Sequence, residues 1–596
     1  MSGGGEDGRA GAQPDPGADR GPGWRDAKRG PRAPEEPSAP PTAAEAAAAH
    51  PGRGLIRLGL LGVALVAGMG AIGARFADLA GRGADMPARA PNIEQEAELT
   101  PRLTIVDRNG APLVSNLRTY RIGYDSRVAS PPSARRDDAA ELARLFPEWR
   151  ADQLHANFIA NPITTVRRSA TPREAQAAHD LGLPGLYRRD RFDRVYHLGP
   201  AAAHVLGFVN DKGGVAGVEG ALEAKIAAGA EAPLALSIDA RAQLAAHEAL
   251  ARGMRRTGAV AGSALVMDAR TGEVAAMVSL PAFDPAELPP RPGPGARANP
   301  YRNHALTPRE LGSVLKTVTW ALALETGETT LDEVFPPSRP VEVDGFKIGE
   351  KERYDALTLA EAYAKSSNVV SATLALRVGA AAQQRMLKRL GLHAALEIEL
   401  TEARGATPRW GAPWTDARTV TASYGHGVTV TPAHVAAATA SLINGGWRVR
   451  PTLLKRPPEA ALERGERVVG PGVSSAMRDM LRLAVAQGTG RSADAPGLEI
   501  GGKTGTADLA QGGAYAEDKV IASFVGAFPM SAPAYVAIVT LEEPEVEIDG
   551  QPRRSAAYTA APVFAEIASA AAPLLGVAPA APAALTRRAD AAAPAR

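Results

Sequence analysis

Three short motifs stand in a fixed order along this chain: Ser313-Val314-Leu315-Lys316, Ser366-Ser367-Asn368 and Lys503-Thr504-Gly505-Thr506. They constrain the fold more than any other feature, because their chemistry works only if all three line one cavity. Each occurs once, with 53 residues from 313 to 366 and 137 from 366 to 503. A lone Ser-x-x-Lys arises by chance roughly once in a chain this long. Three such motifs in order are a strong signal.

Gly312-Ser313 precedes an apolar helical run over 314–324. Ser313 is thereby expected in the first turn of a helix, where free N–H groups and the positive dipole end favour developing negative charge. Lys316 lies three residues on, on the same face and within reach of the Ser313 hydroxyl. A serine becomes a good nucleophile when a base takes its proton, and a neutral lysine can do so. Lys316 then needs a depressed pKa, which burial and a second nearby cation provide. Ser366 and Asn368 alternate in a short loop, so a hydroxyl and an amide line one wall: Ser366 to relay a proton, Asn368 to bind a substrate amide. Taken alone, this motif reads more readily as helix capping by Ser367 or Asn368, and the first as a surface lysine one turn after a serine.

The third motif has a competitor, because Gly497 to Thr504 satisfies the phosphate-loop pattern Gly-x4-Gly-Lys-Thr. That loop needs a buried strand before it and a helix starting at the lysine. Pro496 and polar residues precede it, and Gly505, Gly512 and Gly513 oppose a helix. A strand is expected instead, with Lys503 and Gly505 on one side: the lysine holds a carboxylate and the glycine lets a peptide backbone lie close. Lys503, Thr504, Gly505 and Thr506 are thus the substrate-docking strand. A serine–lysine nucleophile, a proton relay and a carboxylate-binding lysine together describe acyl transfer from a peptide with a free carboxylate.

Composition narrows the alternatives. Net charge is +2 with the basic residues scattered, which leaves no footprint for nucleic acid. There are no cysteines, so disulfide and thiolate chemistry is excluded. The ten histidines show no metal-ligand spacing, so neither metal nor cofactor is expected. Residues 1–53 are rich in Gly, Pro, Ala and charge and are expected to be disordered, as is the Ala/Pro-rich tail over 571–596. Between them, residues 58–74 are uncharged and bounded by Arg57 and Arg75. As a helix this run is about 26 Å long, close to a hydrocarbon core, and the arginines complete it by snorkelling. A single transmembrane anchor over 54–76 is expected. Basic residues upstream keep the amino terminus in the cytoplasm, so the remainder is exported. A cleaved signal fits less well, because a long polar segment precedes the apolar run.

In the exported part, strands flanking Asn109-Gly110 predict a hairpin. Residues 137–181 read as helical, with Leu142, Leu145 and Phe146 at three-to-four spacing and a helix start at Thr171-Pro172-Arg173-Glu174. A second unit opens near 236 with a helix over 242–252 and strands at 263–267 and 273–278. It closes with strands at 522–528 and 535–541 and a helix near 562–574. Strands at both ends with helices between predict one α/β domain whose terminal strands share a sheet.

With these residues in view, the chain resembles the class B penicillin-binding proteins, the monofunctional peptidoglycan transpeptidases. The resemblance runs from the anchor to about residue 570. It includes Arg102-x-x-Ile105-x-Asp107-Arg108-Asn109-Gly110, Leu181-Gly182-Leu183-Pro184-Gly185, Arg194-x-Tyr196 and Gly217-Val218-Glu219, and later Gly488-Thr489-Gly490. Ser423-Tyr424-Gly425-His426-Gly427 and Thr431-Pro432 resemble the division-specific, FtsI-like branch.

The resemblance implies an α/β penicillin-binding transpeptidase domain of serine β-lactamase type over 236–570. It implies an α+β pedestal of the dimerisation type over 95–235, propped by Arg102, Arg194 and Glu219. It implies that Ser313 is acylated, Lys316 is the base, Ser366 and Asn368 line the site, and the N–H groups of Ser313 and Thr506 form the oxyanion hole. Stem peptides, β-lactams, a membrane glycosyltransferase and other division proteins are the implied partners, and the inner membrane the implied location. Elongation-type transpeptidase, D,D-carboxypeptidase, β-lactamase and non-catalytic sensor remain alternatives. The chain departs from the family at Leu311, where proline is usual, at Val314-Leu315, where Thr-Phe is usual, and at Leu103, where glycine is common.

Overall fold

The computed structural model describes residues 62–75, 77 and 101–578, except 129–132, 230–231, 294–295, 297, 351, 458, 460–464 and 512–513. The chain divides into two compact units, 1–96 and 97–596. In the first, residues 62–75 form a helix that is exposed throughout, Val63, Leu65, Val66, Met69 and Ile72 included. Among the described residues no helix is long and apolar enough to cross a membrane. At about 21 Å the 62–75 helix is shorter than a hydrocarbon core of about 30 Å. The expected transmembrane helix is therefore not an element of the described structure. Residues 58–61, where the apolar run begins, lie outside it, as do 1–53 and 579–596.

The second unit opens with a five-stranded sheet of Ile105–Val106, Pro112–Asp125, Ile163–Ala170, Leu186–Tyr196 and Leu234–Ala235. The hairpin predicted at Asn109-Gly110 forms: Gly110 takes a φ of 87°, and the Asp107 N–H donates to the Ala111 carbonyl at 2.8 Å. The segment read as helical over 137–181 is instead two helices, Arg135–Leu145 and Ala151–Ala160, then the Ile163–Ala170 strand, then a helix at Pro172–Asp180. The β-branched run Ile163, Thr164, Thr165, Val166 accounts for the strand, since such side chains suit a pleated surface better than a helix. The last helix starts where the sequence predicts, and there Thr171 and Glu174 cap it reciprocally.

Beneath this sheet, Glu219 is fully buried between two arginines. Arg102 donates to it at 2.7 Å and Arg194 at 2.6 and 2.8 Å. Arg194 also reaches the Leu103 carbonyl and the Asn116 amide oxygen, both at 2.9 Å. The sequence reading omitted Glu223, which takes two further bonds from Arg102 and whose carboxyl Arg102 holds below its ordinary range.

The larger domain is built on a five-stranded antiparallel sheet in the order Gly501–Gln511, Ala514–Phe528, Tyr535–Glu542, Ala261–Asp268, Val274–Leu280. Strands from both ends of the domain thus share one sheet, as predicted. Period-two alternation divides its side chains between two cores. Leu265, Met267, Val525, Ala527, Val536 and Ile538 pack toward the helices inserted between the strands. Ala264, Val266, Phe524, Phe528, Ala537 and Val539 pack against the helices Ala240–Thr257 and Ala560–Leu574. The first of these starts at Asp239, whose carboxylate caps Arg241 and Ala242 N–H groups, and ends at Gly258 in the left-handed conformation. The second runs through residues assigned to the disordered tail, with Ala571 and Ala572 fully buried. Both exceed the spans read from sequence.

Candidate active site

The site lies where the Gly501–Gln511 strand, at the edge of the sheet, meets the inserted helices. Lys503 pairs across the ladder with Val525 and therefore shares its face, the one covered by the helical insert. A helix does not begin at Lys503, which removes the phosphate-loop reading. Gly505 lies two residues on and faces the same way. A Cβ there would come within 2.3 Å of the Leu311 carbonyl oxygen and 2.9 Å of Val314 Cγ1. The missing side chain admits the turn carrying Ser313, where the sequence reading had assigned the space to a substrate backbone.

The same interlock works from the opposite side. Gly312, at φ 62°, would place a Cβ 2.6 Å from the Thr506 carbonyl, and Gly425, at φ 81°, one 2.2 Å from the Gly312 carbonyl. Gly312–Leu315 is a 3₁₀ turn that feeds the helix Lys316–Glu325. Ser313 thus sits at the head of that helix, half-buried against the edge strand.

Lys316 is completely buried. Its ammonium donates to the Asn368 amide oxygen at 2.7 Å, to the Ser366 hydroxyl at 3.2 Å and to the Ser366 carbonyl. Lys503, equally buried, donates to the same Ser366 hydroxyl at 2.8 Å and to the Thr504 carbonyl at 3.1 Å. Burial pushes Lys503 down to about 7. Burial also drives Lys316 well below the ordinary lysine range, the positive charge of Lys503 adds to this, and Glu350 opposes it. A lysine whose charged form is so disfavoured gives up its proton more readily and, once neutral, can accept one from a serine.

Ser366 holds a φ of 61°, uncommon for a residue with a side chain. Its N–H bonds the Tyr363 carbonyl at 2.9 Å and its carbonyl is taken by Lys316. Ser367 caps the helix Asn368–Arg389 by accepting from Val370 N–H. Capping and site-lining, posed as alternatives in the sequence, fall to neighbouring residues of one turn. The Thr504 hydroxyl pairs with that of Thr489 at 2.8 Å, and the Thr506 hydroxyl accepts from the Ala556 N–H at 3.1 Å. Thr489 N–H reaches the Ala364 carbonyl at 3.1 Å, so Gly488-Thr489-Gly490 ties the edge strand to the segment leading into Ser366.

All five of Ser313, Lys316, Ser366, Asn368 and Lys503 therefore lie around one junction, with Thr504, Gly505 and Thr506 along the neighbouring edge. Two further participants, Tyr363 and Glu350, escaped the sequence reading, and a third, Gly425, has a packing role that it did not show. Tyr363, fully buried, bonds Thr317 through its hydroxyl at 2.8 Å and lays its ring 5.9 Å from the Lys503 ammonium. Glu350 accepts from the Ser367 hydroxyl and the Val369 N–H. Gly425 had been noted only for its motif. None carries a local signal, since each acts through a contact distant in sequence.

The chain is similar to known proteins over most of its length. Residues 262–569 match the family described as the penicillin binding protein transpeptidase domain, and residues 97–228 the penicillin-binding protein dimerisation domain. The chain is 32% identical over 493 residues to the probable peptidoglycan D,D-transpeptidase FtsI of Caulobacter vibrioides, covering 79% of this chain and 81% of that protein. It is 29% identical to the peptidoglycan D,D-transpeptidase FtsI of Escherichia coli, covering 75% and 80%. The crystal structure of penicillin binding protein 3 from Mycobacterium tuberculosis complexed with aztreonam aligns with a TM-score of 0.61 at 25% identity, covering 81% of this chain and 98% of that one. With the edge strand, the paired lysines and the serine turn assembled as described, the chain belongs to the FtsI-like family of penicillin-binding transpeptidases.

Proposed function

We propose that this protein is a peptidoglycan D,D-transpeptidase of the division septum, working through an acyl-enzyme on Ser313. The observation that carries the reading is the convergence of Lys316 and Lys503 on the Ser366 hydroxyl, beside the turn that bears Ser313. Neutral Lys316 takes the Ser313 proton as the hydroxyl oxygen attacks the carbonyl of the penultimate D-Ala of a stem pentapeptide. The N–H groups of Ser313 and Thr506 hold the oxyanion. Ser366 passes the proton to the leaving D-Ala amine, and the C–N bond breaks. Asn368 and the free edge of the 501–511 strand hold the peptide backbone, while Lys503, with Thr504 and Thr506, holds the terminal carboxylate. An amine on a neighbouring strand then attacks the ester and releases the cross-link. A β-lactam occupies the same groups and acylates Ser313.

The division role is supported by the names of the relatives and by Ser423-Tyr424-Gly425-His426-Gly427. The exposed apolar helix over 62–75 supports a single-pass anchor in the inner membrane, with the amino terminus cytoplasmic, the catalytic domain periplasmic and a glycosyltransferase and other division proteins as partners. Labelled penicillin tests the chemistry: it attaches to wild type at Ser313 and releases slowly, and rapid hydrolysis would instead indicate a β-lactamase. Depletion tests the role: filaments form, and wild type rescues them where Ser313→Ala does not.

A further inference from the structure

Glu350 stands just beyond the small hairpin of Val341–Val343 and Phe346–Ile348, whose Val343 packs with Ala372 and Val420. One oxygen of its carboxylate accepts both the Ser367 hydroxyl and the Val369 N–H, the latter at 2.9 Å. The Ser367 oxygen in turn accepts from Val370 N–H at 3.0 Å. The helix that begins at Asn368, within the span Asn368–Arg389 that breaks at Gly379 (φ 73°, ψ 161°), is thus capped twice, and a carboxylate at a helix amino terminus has the favoured sign.

We propose that Glu350 is a positioning residue for acyl transfer: it clamps the turn that carries Ser366 and Asn368, and it sets a negative charge beside the buried Lys316–Lys503 pair. The clamp matters because the residue before Ser367 is strained. A side-chain-bearing residue at a φ of 61° persists only where its surroundings hold it. Tyr363 and Lys316 hold Ser366 from one side, and Glu350, through Ser367 and Val369, fixes the chain on the other. Release of that side lets the Ser366 hydroxyl and the Asn368 amide drift from Lys316, now 3.2 and 2.7 Å away. The charge has a separate consequence. Lys316 faces Lys503 from the edge strand, neutral Ser366 and Asn368 from the turn, and Glu350 from the loop after the hairpin. The two lysines repel, and Glu350 acts against that repulsion.

The inference rests on the acyl-enzyme reading and is tested with the full-length protein in detergent, following acylation by a fluorescent penicillin from pH 5 to 9. Glu350→Gln keeps the acceptor oxygen and loses the charge, so the acid limb of the rate profile moves to lower pH by about half to one unit. Glu350→Asp withdraws the charge by one methylene and falls between wild type and Gln. Glu350→Ala loses the clamp too and acylates about 10- to 100-fold more slowly. Thermal melts identify folded variants; if Glu350→Gln does not fold, Glu350→Asp alone must show a displaced limb. Superimposable limbs and rates in the folded variants overturn the role of Glu350 while leaving the acyl-enzyme intact. Wild type that fails to label at Ser313 overturns the reading beneath it.

Discussion

Lys316 and Lys503 direct their ammonium nitrogens at a single acceptor, the Ser366 hydroxyl, from 3.2 and 2.8 Å. One belongs to a helix in the domain interior and the other to the edge strand, and neither has any exposed surface. Two buried cations at one acceptor cannot both hold their protons cheaply; burial and the charge of Lys503 push Lys316 well below the ordinary lysine range, and burial pushes Lys503 down to about 7. In the proposed reaction Lys316 serves as the neutral base and Lys503 as the cation for a substrate carboxylate.

If Lys316 is the base, acylation by labelled penicillin falls on the acid side as Lys316 takes up a proton. Lys316→Met loses about 10²- to 10⁴-fold in rate at every pH. A residual rate in Lys316→Met with the wild-type acid limb would assign that limb to another group.

Ser313→Ala removes only a hydroxyl from a half-buried turn. It should abolish covalent penicillin attachment while leaving the melting temperature within about 1–2 °C of wild type. Undiminished labelling, located by peptide mapping to another serine, would end the assignment of the nucleophile.

Lys503 also leaves a mark on stability. Its folded pKa of about 7 lies below its unfolded value. Between these two pH values the unfolded chain binds one more proton than the folded chain, so stability rises with pH from about 7 toward 10. Lys503→Met removes that contribution, which amounts to about 1.4 kcal/mol per pH unit within the window. Denaturant unfolding of both proteins at pH 7, 8 and 9 checks it: a wild-type stability that does not gain on the variant as pH rises contradicts the buried, depressed lysine.

The glycine interlock is tested by Gly505→Ala, whose methyl would meet the Leu311 carbonyl at 2.3 Å. Overpacking against backbone costs about 1–3 kcal/mol and displaces the Ser313 turn, so penicillin labelling should fall at least about 100-fold. Gly472→Ala, in the helix Pro471–Ala486 with nothing within 4 Å of the new methyl, is the control and should be neutral or stabilising.

In the pedestal, Glu219→Gln leaves Arg102 and Arg194 without their buried counter-charge. Breaking such a pair costs about 3–5 kcal/mol. Limited proteolysis should cut within 101–229 far faster than in wild type, with penicillin labelling of the larger domain retained. Unchanged proteolysis would show that Glu223 alone satisfies the cluster.

The motifs were legible because their chemistry confines residue types at one-turn or one-strand spacing: Lys316 one turn after Ser313, Gly505 two places after Lys503. The hairpin at Asn109-Gly110 and the helix start at Thr171 were legible for the same reason, since a turn or a helix start is decided within four residues. The strand at 163–170 was misread because short flanking helices gave the window a helical period. The membrane anchor remains a reading of composition, with residues 58–61 outside the described structure. The phosphate-loop pattern was rightly set aside from the sequence: eight residues match the motif, but the following glycines oppose its required helix, and a strand forms instead.

Local chemistry along the chain thus points to the side chains that meet at the site, since the motifs of the proposed nucleophile, base, relay and docking strand each span no more than four residues. It does not settle how they meet. That Lys316 spends its hydrogen bonds on Ser366 and Asn368, that Gly505 makes room for the Ser313 turn, and that Glu350 caps the helix behind Asn368 all depend on pairings between distant segments. Such pairings leave no periodicity in the sequence. They exist only once sheet register and helix packing bring backbone carbonyls and buried charges within a few ångströms of one another.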